Sequence, residues 1–142
     1  MADNRHIEER YAEIGQRLIE TMDELAQLRE SDVSIVYLGS DDARKKNGKL
    51  TLGQCEKVGD KWKWSVPADF TITVFEPNVE EFNDRQLEAL IFHELLHVGV
   101  EDDEHDHLYV RPHDTEDFSA VIKRYGVDWA KTEGDEPLPF ER

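Results

Sequence analysis

The chain has 142 residues and a mass of 16.5 kDa, the size of one domain able to bury its own core. Hydrophobic residues make up 38%, charged residues 35%, the mean hydropathy is -0.71, and no apolar run nears the roughly 18 residues that cross a bilayer. With 17 basic against 33 acidic side chains the net charge is -16, which repels nucleic acid as a whole, and the one cysteine, Cys55, excludes an internal disulfide framework or a multi-cysteine zinc cluster.

Residues 5–29 predict a helix. Ile7, Tyr11, Ile14, Leu18, Met22, Leu25 and Leu28 recur at spacings of three and four and build one apolar stripe. Asp3 or Asn4 can cap its start. Such a stripe covers a sheet in a small domain, with a dimeric coiled coil as the alternative. Residues 33–38 form a β-branched run that ends at Gly39 and predict a strand. Residues 41–49, with Asn47-Gly48, predict a turn or a mobile charged loop. Residues 50–52 and 55–58 carry weaker strand patterns, and 61–66 a further strand after Gly59-Asp60. Residues 70–75 alternate most strongly of all, and Pro77 ends that strand.

Residues 82–99 predict a second helix. Asn83 and Gln86 have capping-box spacing, Phe82 and Leu87 the spacing of a hydrophobic staple, and Gly99 suits the end. This helix is apolar nearly all round and is expected to be buried. An acidic loop follows at 101–106, then a third helix at 114–125 with Phe118, Val121, Ile122 and Tyr125 on one face. The tail, 131–142, reads as irregular. No repeat or second domain is visible, so 1–142 is read as a single domain.

The buried helix contains His93-Glu94-Leu95-Leu96-His97. Four residues apart, the two imidazoles share one side of the helix, within reach of one metal ion, and Glu94 is angled to hold a water without being a ligand. Chance supplies this pattern about 0.03 times in a chain of this composition. Catalytic zinc takes three protein ligands and an open position. His113 is the expected third ligand, because the third helix would hold it rigidly; His107, His105 or a carboxylate are the alternatives. His6 is read as an ordinary surface residue of the first helix.

His-Glu-Leu-Leu-His-Val at 93–98, with Arg-Pro-His-Asp at 111–114 and Phe118, resembles the phage metallopeptidase family and, more distantly, the SprT-like and WLM-type zinc proteases. Pro112-His113-Asp114 and Phe118 match the third-histidine segment of those families, with the aromatic one residue later than in the WLM pattern. The resemblance takes in most of the chain, including the first helix, Tyr37-Leu38, the basic loop at 44–49 and the strand before the motif. It implies an α+β, minimal zincin-like fold and a zinc-dependent peptidase acting on peptide bonds of a protein substrate.

The expected chemistry has Glu94 as general base beside a zinc ion on His93, His97 and His113. Tyr109 or Tyr125 could donate to the oxyanion, although both also read as core residues, and Asp114 could orient a ligand or cap the third helix. The strand at 70–75 is expected to offer an edge to an extended peptide.

Charge is unevenly spread. Residues 1–43 carry 4 basic and 11 acidic side chains (-7), 44–79 carry 7 and 4 (+3), and 80–142 carry 6 and 18 (-12). The basic segment 44–63 includes Lys61-Trp62-Lys63-Trp64, which could bind nucleic acid but reads better as a half-buried strand. The acidic loop, if it lies by the metal, would favour cationic substrate segments or a second metal ion. No secretory signal is visible in MADNRHIEER, so the expected compartment is the host cytosol, with no membrane partner. The main rival function is an acidic DNA mimic or binding protein with a structural zinc site. A further one is a protease recruited to nucleic acid through the basic island.

Overall fold

In the computed structural model, which describes residues 5–31, 33–46, 48–59, 68–101, 107–112 and 124–125, the chain opens on a strand, β1 (Arg5–Ile7). Helix α1 (Glu9–Thr21), a 3-10 turn (Asp23–Leu25) and helix α2 (Ala26–Glu30) follow. The single helix expected over 5–29 is therefore corrected twice. Its start is drawn into antiparallel pairing with β2 (Ile35–Ser40), Arg5 opposite Ser40 and Ile7 opposite Leu38, which leaves Ile7 72% exposed. Its middle breaks at Met22, whose backbone is extended. The 3-10 turn restarts the chain with Leu25 and Leu28 still buried, so the apolar spacing passes through the break unchanged.

Of the turn and the mobile loop expected over 41–49 the turn is found: β3 (Lys45–Lys46) and β4 (Lys49–Leu50) form a short ladder, with Gly48 at φ 77° in its turn, a conformation that favours glycine. Strands β5 (Gly53–Lys57) and β6 (Phe70–Phe75) complete a sheet of order β1-β2-β6-β5. β6 runs parallel to β2 and antiparallel to β5. Phe70, Ile72, Val74 and Phe75 are all fully buried, as suits a strand covered on both faces. The expectation that 70–75 offers an edge is thus corrected: among the described residues the edges are β1 and β5.

Helix α3 (Asp84–Leu96) starts where the capping box predicts. Asn83 Oδ1 accepts from the Gln86 backbone N–H at 2.9 Å, and Gln86 Oε1 accepts from the Asn83 N–H at 2.9 Å. Leu87 and every residue from Ala89 to Leu96 are buried, with Phe82 packed against the same core. α1 and α3 lie side by side on one face of the sheet, α1 against β2 and α3 against β5 and β6.

Gly99 does not end this helix. It lies in β7 (Val98–Glu101), which pairs antiparallel with β8 (His107–Val110), because the chain turns from helix to strand at His97 without a left-handed residue. The fold is α+β, with three helices and a small mixed sheet among the described residues. The strand expected at 61–66, residues 102–106, 113–123 of the third-helix region, the caps Asp3 and Asn4, and the tail lie outside the described residues. Of the third helix, Arg124 pairs with Glu24 through two 2.6 Å bonds, and the Tyr125 hydroxyl donates to Glu88 Oε2 at 2.6 Å. Among the described residues no helix is long and apolar enough to cross a membrane.

Candidate metal centre

An all-round buried helix makes its polar residues conspicuous. In α3 Gln86 belongs to the capping box, which leaves His93 at 5% exposure and Glu94 at 4%. Ionisable groups are stable at such depth only when they are paired or bind an ion. His93 and His97 stand one turn apart on the same side, ring centroids 5.1 Å apart and planes at 66°. His93 Nε2 is 4.0 Å from Glu94 Oε2.

His97 occupies the helix C-cap, and its ring is oriented from outside α3. Its Nδ1 lies 2.6 Å from the Arg111 carbonyl, while the Arg111 N–H donates to the His97 carbonyl at 2.6 Å. A carbonyl only accepts, so Nδ1 carries the proton and the imidazole lone pair is on Nε2. This is the arrangement by which backbone groups orient metal-binding histidines. The same Arg111 N–H also satisfies one of the carbonyls that a helix end leaves over.

Glu94 is positioned by an absence of side chain. A Cβ at Gly53, the first residue of β5, would lie 3.1 Å from Glu94 Oε2 and 3.2 Å from the Thr73 carbonyl. The carboxylate therefore rests against the backbone of an edge strand. Cys55, two residues on and facing the same way, is pushed up from its ordinary pKa by burial and by the negative charge of Glu94 and then Glu56, so it is a neutral thiol. Cys55 is in register with Ile72 and, across it, Tyr37, whose buried hydroxyl has no hydrogen-bond partner among the described residues and is pushed up by the same burial. Neither Gly53 nor Cys55 was singled out from sequence. Gly53 falls between the two weak strand patterns at 50–52 and 55–58, so its close approach to Glu94 carried no signal in the sequence.

The other candidates are dispersed. Tyr109 on β8 lies across Gly99, where a Cβ would be 2.6 Å from its ring. His107 is in β8 opposite Glu101. His6 is on β1 rather than a helix, its Nε2 3.3 Å from Glu76 Oε1, and Glu76 Oε2 also accepts from Tyr11 at 2.7 Å. His105, His113 and Asp114 lie outside the described residues. Among the described residues no group of three His, Cys, Asp or Glu side chains is placed to hold a metal ion.

Residues 5–135 match the family model described as "Putative phage metallopeptidase", and the chain belongs to that family. No curated protein and no solved structure matches it.

Proposed function

We propose that this member of the phage metallopeptidase family hydrolyses peptide bonds of a protein substrate, with a zinc ion held by His93, His97 and His113 in a single zincin-like domain over 1–142. The observation that carries the reading is the His97 ring, held by the Arg111 carbonyl so that its lone pair is on Nε2, one turn from His93. Two imidazoles on one helix face with a backbone acceptor behind one of them fit a late transition-metal ion, and zinc is the usual occupant of such donors in hydrolases. His113 is two residues beyond Arg111 in sequence, so the segment that supplies the third ligand leaves from the backbone that holds the second.

When bound, the ion supplies Lewis-acid activation of a water and of the scissile carbonyl. Glu94, pressed on Gly53, takes the proton from the attacking water. It returns that proton to the leaving nitrogen as the C–N bond breaks, giving a carboxylic acid and an amine, and the acid's proton passes to the amine to leave a carboxylate and an ammonium. β5, the described edge beside Glu94, pairs with an extended substrate by strand addition. Tyr109 donates to the developing oxyanion and Asp114 orients a ligand. The proposed place of action is the host cytosol.

Metal content and casein hydrolysis, measured on the parent, Glu94→Gln and His113→Ala, test the reading. About one zinc per chain is expected in the parent and in Glu94→Gln, with hydrolysis only in the parent and zinc weakened or lost in His113→Ala. Tight zinc in His113→Ala would transfer the third ligand to His105, His107 or a carboxylate. A parent that takes up no zinc sinks the peptidase reading in favour of an acidic binding protein.

A further inference from the structure

Four of the chain's 17 basic residues fall between Arg44 and Lys49, just before Gly53, the residue that lies against Glu94. From Arg44 to Gly53 the chain carries Arg44, Lys45, Lys46 and Lys49 and no acidic residue. The β3–β4 ladder places Lys46 and Lys49 at opposed register positions on either side of its turn. Lys45 is exposed.

The hairpin is firmly seated. Asn78, buried after β6, donates from Nδ2 to both the Arg44 and the Thr51 carbonyls at 2.9 Å, and the Thr51 N–H donates to the Arg44 carbonyl at 3.0 Å. This closes the base of the hairpin. The Arg44 guanidinium lies 4.7 Å from the centroid of the Phe75 ring, donates to Gln54 Oε1 at 2.8 Å and pairs with Asp42 Oδ2 at 3.4 Å, so the formal charge left on the hairpin is that of its lysines. The Phe75 N–H donates to the Leu52 carbonyl at 3.0 Å, which fixes the exit into β5. From Leu50 to Gly53 is three residues, at most about 11 Å of chain. A strand laid along β5 past Glu94 thus runs on towards the hairpin.

We propose that the β3–β4 hairpin is an anchoring surface for an acidic peptide segment, and that it selects substrates whose acidic residues lie a few positions from the scissile bond. The selection of substrates rests on the peptidase reading; the binding of acidic peptide does not. Positive charge localised on a hairpin with a fixed base complements a short run of Asp and Glu, with electrostatic range limited to about 8 Å at physiological salt. Nucleic acid fits less well. A long polyanion extends beyond the hairpin into the field of a protein of net charge -16. The one aromatic ring described beside the basic cluster, Phe75, is buried beneath Arg44, so no base can stack on it.

The test is fluorescence anisotropy on the full-length Glu94→Gln chain, which removes turnover. The probes are a fluorescein-labelled decapeptide rich in Glu and Asp, its counterpart with Gln and Asn in their place, and a ten-nucleotide single strand. Each is also titrated against Lys45→Glu alone and against Lys45→Gln/Lys46→Gln/Lys49→Gln, with circular dichroism to check that both variants fold. The acidic peptide is expected to bind at least tenfold tighter than the neutral one, with the difference falling severalfold in Lys45→Glu and lost in the triple variant. Equal binding of both peptides, a difference that survives the triple variant, or a single strand that outcompetes the acidic peptide would each overturn the proposal. Hydrolysis by the parent is scored separately. A parent that binds acidic peptide and cuts nothing retains the anchoring surface and loses the peptidase reading. One that cuts peptides without preferring acidic flanks keeps the peptidase reading and overturns the selection of substrates.

Discussion

Helices α1 and α3 have the same length, 13 residues, and opposite constructions. α1 begins at Glu8 without a side-chain cap and buries only Tyr11, Gly15 and Leu18. α3 begins with a reciprocal capping box and is buried from Gln86 onward except at Glu88. One helix is held by a single face laid on the sheet, the other by its own end and by neighbours all round. Polar residues on α1 have solvent available, so they say little about function. On α3 two ionisable residues sit where solvation is withdrawn, so their presence needs a chemical reason.

Five perturbations test that contrast. Gly15→Ala gives the largest stability change. Alanine is the better helix former by about 1 kcal/mol, yet a Cβ at 15 runs into the ring and hydroxyl of Tyr37 below it. Overpacking wins, and a loss of about 1–3 kcal/mol is expected from urea midpoints; a gain would mean that the α1 face yields easily. Gly53→Ala acts on α3 from the sheet side. Its Cβ displaces the Glu94 carboxylate by a few tenths of an ångström, and about a tenfold fall in kcat is expected with zinc content unchanged. A tenfold loss that came with lost zinc would instead place Gly53 in support of the ligands.

Asn83→Ala removes the α3 cap and is expected to cost about 1 kcal/mol, whereas Glu8→Ala at the uncapped start of α1 should stay within about 0.5 kcal/mol. Equal losses would erase the contrast. The last effect appears only in alkali. Burial raises Cys55 from its ordinary 9.0, and Tyr11 and Tyr37 from 10.0, so the folded chain keeps protons that the unfolded chain has released. Above about pH 9 the unfolded state binds fewer protons, and stability falls as pH rises. Urea midpoints measured between about pH 8 and about pH 10.5 should decline steadily; a flat profile would mean that these groups titrate alike in both states.

The elements that sequence located well are those where local and tertiary preferences agree. Residues 70–75 alternate and are central, and α3 carries its own start signal in Asn83 and Gln86. Elements that depend on a distant partner were hidden. Arg5–Ile7 is a strand only because β2 accepts it, and three residues are too few to declare a period. The break at Met22 is invisible because Leu25 and Leu28 stay in phase. The two imidazoles and the carboxylate of α3 were legible from spacing. The features that orient them were not, since one is a backbone carbonyl at Arg111 and the other the missing side chain of Gly53, and neither has a residue type to read.

The hold on His97 has a consequence for how the protein can drift. Its proton is assigned by a main-chain oxygen, a group that every amino acid possesses. Substitutions at 111 therefore leave the tautomer of His97 intact as long as the β7–β8 hairpin returns the backbone to the same place. Proline is the exception, because the Arg111 N–H is needed at the helix end. The tautomer of the imidazole is thus decoupled from the identity of the side chain at 111 and tied to the path of the backbone alone.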